Sequence, residues 1–189
     1  MSDKPEISES EAVILCVQDV WMAIGLRWSA IRRELAAFPF PPGTLDGGRA
    51  PFELMLAAMG LQIQSAESLL STGQARRVRD LLLTHFVSEH GRGALSVLEA
   101  HDDAWREALA GGHGAALGPA QVMAERLGCA PTDEAGPSGA GRAPGSPVLR
   151  GLAGVLERYG TPDWWQRLLA SSRLVPDADM PDADASSAF

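Results

Sequence analysis

The residues with the widest chemical reach lie between positions 85 and 103: His85, Glu89, His90, Glu99, His101, Asp102 and Asp103. His85 and Glu89 are four apart, as are Glu99 and Asp103, and a helix places residues at that spacing on one face. Where two such helices meet as neighbours, imidazole nitrogens and carboxylate oxygens converge, and sets of this kind hold hard or borderline divalent metals. His85, Glu89, Glu99 and Asp103 are thus the candidate metal ligands. The Glu-x-x-His pairs of carboxylate di-metal bundles are missing, and no cysteine lies nearby. The polar end of an ordinary helical hairpin has the same composition, so no cofactor is expected.

A second pattern overlaps the first. Arg79-Asp80-Leu81-Leu82-Leu83-Thr84-His85 resembles the Arg-x(4–6)-His motif of the HEPN-domain ribonucleases, an all-α family. The resemblance covers seven residues. It implies His85 as the base at a ribose 2′-hydroxyl and Arg79 as the cation that steadies the phosphate, without a metal. Arg76 and Arg77 stand at the start of the same expected helix, where the dipole disfavours cations by about 0.3–1 kcal/mol each. That local conflict marks them as candidate interaction residues. So are Trp164 and Trp165, which cannot both face one way on a helix. One is expected to pack and the other to stay exposed as an aromatic anchor. Gly-x-Ser-x-Gly, Cys-x-x-Cys and His-Glu-x-x-His strings do not occur, and the Gly-rich strings at 111–114 and 136–145 lack the preceding strand that a phosphate loop needs.

Helices must position these groups. Ile14, Trp21, Trp28 and Leu35 recur every seventh residue, and Val17, Ile24, Ile31 and Phe38 follow three later. The pattern predicts one unbroken helix over residues 8–38, about 45 Å long, with both tryptophans in its apolar seam. A small-residue row, Cys16, Ala23, Ala30 and Ala37, suggests close neighbours on a second side and a central place for this helix. Ser8 and Glu11 form its capping box, and Pro39, Pro41 and Pro42 end it. Further helices are expected at 51–72, 74–90, 94–109 and 119–127, separated by Gly and Pro breaks short enough for antiparallel neighbours. Residues 129–145, rich in Gly, Pro, Ala and Ser, read as a flexible linker. Ser146-Pro147 and Thr161-Pro162 open a helical hairpin over 146–172.

The expected architecture is all-α: an antiparallel bundle of four or five helices over 8–128, with the long first helix as its spine, and the hairpin beyond the linker. Residues 1–7 and 173–189, the latter with Pro-Asp-Ala-Asp twice, are expected to be disordered.

Charge narrows the function. The net charge is −8, and most of it sits at the two ends, which leaves a near-neutral body and makes nucleic-acid capture unlikely. Fifteen of the 16 basic residues are arginine, scattered along the chain, as a G+C-rich bacterial genome would produce. The first ten residues lack the cationic and apolar regions of a secretory signal, and no run of 18 apolar residues suggests a membrane span. The expected setting is the cytoplasm, with Cys16 and Cys129 as free thiols. The expected function is that of a non-catalytic bacterial accessory or adaptor protein. It would act through helix-mediated contact with a protein partner or as a homo-oligomer. The two alternatives are the ribonuclease and a bundle that binds metal or a small ligand.

Overall fold

Helix formation begins where the Ser8-x-x-Glu11 pattern places it. In the computed structural model, Ser8 Oγ accepts the Glu11 N–H at 3.2 Å, and α1 runs Glu9–Gly25. The structure describes residues 4–90, 116–129 and 146–177, together with 95, 96, 99, 102, 103 and 107. Among these, α2 spans Trp28–Leu35, α3 Arg49–Leu69, α4 Thr72–His90, α5 Leu117–Arg126, α6 Pro147–Tyr159 and α7 Trp164–Ser171. Two short strands, β1 (Glu6–Ser8) and β2 (Arg173–Val175), complete a mostly helical, all-α fold. Residues 95, 96, 99, 102, 103 and 107 are helical. The rest of the helix expected over 94–109, and the linker expected over 129–145 apart from Cys129, lie outside the described residues.

The single long first helix is not observed. α1 and α2 meet at a bend of 59°. The ladder runs to the Leu26 N–H on Met22 O, then restarts with the Ala30 and Ile31 N–H groups both on Arg27 O. Gly25 stands at the break, and glycine lowers helix propensity by about 1 kcal/mol relative to alanine. The seam is also rotated. Ala12, Val13, Cys16, Val17, Val20 and Ile24 are the buried apolar residues of α1. Ile14 and Trp21, placed in the core by the heptad reading, are exposed. Beyond the bend the reading holds: Ile31 and Leu35 are buried, and Trp28 and Phe38 are partly buried against the core. No single described helix is long and apolar enough to cross a membrane; α1 and α2 together have that length and apolar character, but they are bent at the break between them.

The central helix is α3, which packs against α1, α4, α5, α6 and α7. The sequence explains this. From Glu53 to Ile63 every residue is buried, and a helix that is apolar nearly all round needs cover on every side. Its two buried polar residues, Glu53 and Gln62, have partners. Glu53 Oε2 receives Arg126 Nε at 2.5 Å, and Gln62 Nε2 donates to the carbonyls of Gly160 at 2.7 Å and Thr161 at 3.0 Å. The second contact fixes the turn between α6 and α7, where Thr161 takes a left-handed φ of 50°. α4 begins two residues before its expected start because Ser71 caps it, through the Gln74 N–H at 3.5 Å.

The chain ends are ordered further than expected. β1 and β2 pair in parallel, Glu6 opposite Arg173, Ile7 opposite Leu174 and Ser8 opposite Val175. Ile7 and Leu174 are buried. An Arg173–Glu6 ion pair lies on the outside. Just past β2, Asp177 accepts the Ser10 N–H at 3.1 Å and the Ser10 hydroxyl at 2.6 Å. The carboxylate thus sits in the first turn of α1, where the helix dipole favours an anion. Residues 4–7 and 173–177, expected to be disordered, have paired backbone and a distant cap instead. Asp177→Ala is expected to lower stability by about 1 kcal/mol, the usual loss for a helix N-cap, read as an earlier midpoint in urea unfolding with an unchanged slope.

Cys16 and Cys129 are free thiols and both are buried. Burial and, secondarily, the Asp19 carboxylate push the Cys16 thiol pKa far above its ordinary value of 9.0; burial raises Cys129 as well. The folded chain therefore keeps a proton at Cys16 that the unfolded chain releases above the ordinary value. The stabilising contribution is complete below pH 9.0 and is lost as pH rises above it. The expected slope from Cys16 is about 1.4 kcal/mol per pH unit. Urea midpoints of the wild type should fall more steeply above that pH than those of Cys16→Ala.

Candidate functional site

Each group singled out by its chemistry has a place in this fold. α4 runs without a break from Thr72 to His90. Six residues along such a helix are about 9 Å of rise and about 240° of turn, so Arg79 and His85 leave it on different faces. Arg79 is already engaged: its Nη2 donates to Asp102 Oδ2 at 2.8 Å, and Asp102 is buried. His85 is partly buried, and its carbonyl accepts the Ser88 hydroxyl at 2.7 Å. The structure does not bring Arg79 and His85 together. Of the candidate metal ligands, Glu99 and Asp103 are exposed, and the side chain of Glu89 lies outside the described residues. Among the described residues, no group of three His, Cys, Asp or Glu side chains is placed to hold a metal ion.

The expected interaction residues divide. Arg76 is exposed on α4. Arg77 turns inward and binds Glu9 through two parallel bonds, Nε to Oε2 at 2.8 Å and Nη2 to Oε1 at 2.9 Å. Glu9 is fully buried. The arginine that violates the dipole rule of α4 thus satisfies a carboxylate at the start of α1.

Trp164 and Trp165 are both buried, which corrects the expectation of an exposed anchor. α7 lies against α3. At its first turn Trp164 reaches α1, where its indole N–H donates to Asp19 Oδ2 at 2.8 Å. The two rings meet edge to face, 4.9 Å apart at 83°. Residues adjacent in sequence diverge on a helix, but at its very end both can be covered, one by each neighbouring helix.

The surface that does expose large apolar residues is α1 itself. Ile14 (42%), Leu15 (40%), Trp21 (45%), Met22 (57%) and Leu26 (79%) are exposed. At 100° per residue they fall in one arc, opposite the buried arc of Val13, Val17, Val20 and Ile24. α1 is therefore apolar on two sides. Gln18 and Glu11 lie inside the exposed arc, and Asp19 borders it. Beside Leu15 the strip continues into a shallow groove lined by Leu15, Asp19, Trp164, Arg167, Leu168 and Ser171. The signal was present in the sequence. Once one arc of α1 is assigned to the core, five large apolar residues are left over; the heptad reading merged the two arcs. Comparison of the chain with protein-family models, with curated proteins and with solved structures finds no match.

Proposed function

We propose that this chain is a non-catalytic accessory or adaptor protein of the bacterial cytoplasm, a helical bundle that works through helix-mediated contact with another protein surface. One observation carries the reading: α1 buries one apolar face in the core and offers a second to its surroundings. Exposed apolar strips on a folded chain mark contact surfaces, and this one carries Glu11 and Gln18 within it and Asp19 at its border. The groups that would carry catalysis are spent elsewhere or set apart. Arg79 holds Asp102, and His85 leaves α4 on a different face.

The test replaces two residues of the strip that support no core packing. Met22→Glu combined with Leu26→Glu is expected to keep the far-ultraviolet dichroism and urea midpoint of the wild type. It is expected to abolish association, whether self-association in light scattering or co-purification from the native host. Association unchanged by both substitutions would count decisively against the reading.

A further inference from the structure

α1 and α2 have the character of one helix folded over at a single joint. Val13, Val17, Val20 and Ile24 on α1 and Trp28, Ile31 and Leu35 on α2 follow one another at spacings of three and four, and all are buried or half-buried. At about 100° per residue they fall within an arc of about 80°, with no change of phase at the break. The joint itself is nearly helical. Leu26 has φ −67° and ψ −25°. Arg27 has φ −104° and ψ 4°, so a rotation of about 40–50° in each of its two torsions reaches the α-helical values. No proline blocks that change, and a Cβ added at Gly25 meets nothing within 4 Å.

A straight helix over 9–35 cannot keep both halves on one body. α2 is held on α6, where the Phe38 ring rests on Gly151 and Arg158 donates to Glu34 at 2.7 Å. Opening the 59° bend with α2 in place carries the far end of α1 roughly 25 Å away. The apolar arc of α1 then leaves α3 and α4, and the Glu9–Arg77 pair and the β1–β2 pairing go with it. A second copy of this chain whose own α1 has moved away offers every one of those contacts in the same geometry.

We propose that the joint at residues 25–27 is a hinge, and that its straight state passes β1 and α1 of one copy into the vacated place on another. β1 and α1 are linked to the rest of the described fold through this joint alone, so one local change releases them as a unit. The packing is kept. Val13, Val17, Val20 and Ile24 find the same core, Glu9 the same guanidinium and Ser10 the same Asp177 carboxylate. Exchange of an identical element is a low-cost route to assembly, and here it also closes the ladder interrupted between the Leu26 and Ala30 N–H groups. The hinge turns by 59° and not by half a turn. The transfer is therefore head to tail, each copy giving its unit to the next, and it builds rings or chains of copies. The exchange uses the buried arc of α1 and does not depend on the contact proposed for the exposed arc.

The experiment uses the full chain with Glu6→Cys and Arg173→Cys, two exposed positions that face each other in the parallel register. Oxidation joins them within one chain in the bent state and between chains after exchange. Denaturing gel electrophoresis without reductant tells the two apart, and the parent chain, whose Cys16 and Cys129 are buried, is the blank. Release of α1 requires the body to open, so the protein is refolded from urea at high and at low concentration before oxidation. Concentrated refolding is expected to give a ladder of linked chains, and dilute refolding a single chain. Adding Gly25→Ala is expected to raise the linked share by up to about fivefold, because the helix preference of alanine acts within the straight helix. Adding Ser29→Pro is expected to remove the ladder. Ser29 lies exposed in the first turn of α2, where proline is tolerated, but in a straight helix the ring would strike the Gly25 carbonyl.

Disulfides formed only within single chains, at every concentration and with Gly25→Ala present, overturn the exchange. A ladder that survives Ser29→Pro overturns the straight helix as its route. Urea midpoints matching the parent confirm that each variant folds. Should Ser29→Pro fail to fold, Gly25→Ala decides alone, and a linked share that it leaves unchanged overturns the hinge. Failure of the exchange leaves the contact through the exposed arc standing, because that contact does not bring position 6 of one copy to position 173 of another.

Discussion

Arg77→Ala is expected to lower the stability of the fold by about 3–5 kcal/mol, the cost of leaving a buried charge without its partner. Glu9 has no exposure, and its two carboxylate oxygens take the two parallel Arg77 bonds. Removal of the guanidinium strands that carboxylate between α1 and α4. In a chain of this size the thermal midpoint should drop by about 10 °C. Glu9→Gln combined with Arg77→Met should recover most of the loss, because replacing a buried ion pair with uncharged groups of similar volume is often neutral. A double variant as unstable as the single one would show that the pair contributes through more than its charge.

Trp165→Ala should cost a similar amount, about 3–5 kcal/mol, through the lost burial and the cavity left beside α3. The contrast between the two tryptophans is more informative. The indole N–H of Trp165 is buried and has no acceptor among the described residues, so Trp165→Phe keeps most of the packing and deletes an unsatisfied donor. Trp164→Phe removes a bond to the Asp19 carboxylate, and bonds to charged groups contribute about 1.5–3 kcal/mol. Phenylalanine should therefore be tolerated better at 165 than at 164, although 165 is the more deeply buried position. Urea unfolding of the two variants, measured side by side, reads the order directly.

These residues also show where the sequence could be read and where it could not. Helix starts were legible where a local device marked them: the Ser8 cap and Pro147 in the first turn of α6. A cap needs only its own few residues, so its signal is local. The phase of α1 was not legible. Seventeen residues of mean apolar character offer two arcs, and only the position of α3 decides which one is buried. The exposed strip, the feature with the clearest functional meaning, was hidden by that ambiguity. The Arg77–Glu9 and Arg79–Asp102 pairs span 68 and 23 residues, and no local pattern connects them. β1 and β2 were missed for the same reason. Three residues make too short a strand to show alternation, and their partners lie 167 positions apart.

The parallel register of β1 and β2 has a mechanical consequence. A load carried in along the chain before Glu6 and out along the chain after Val175 pulls the two strands lengthwise past one another. Their hydrogen bonds, the Arg173–Glu6 pair and the Asp177–Ser10 contacts then share the strain together and do not open in turn like a zipper. Tension applied from either side meets this clasp before it reaches α1, so the helix that carries the exposed strip is held fast at its root.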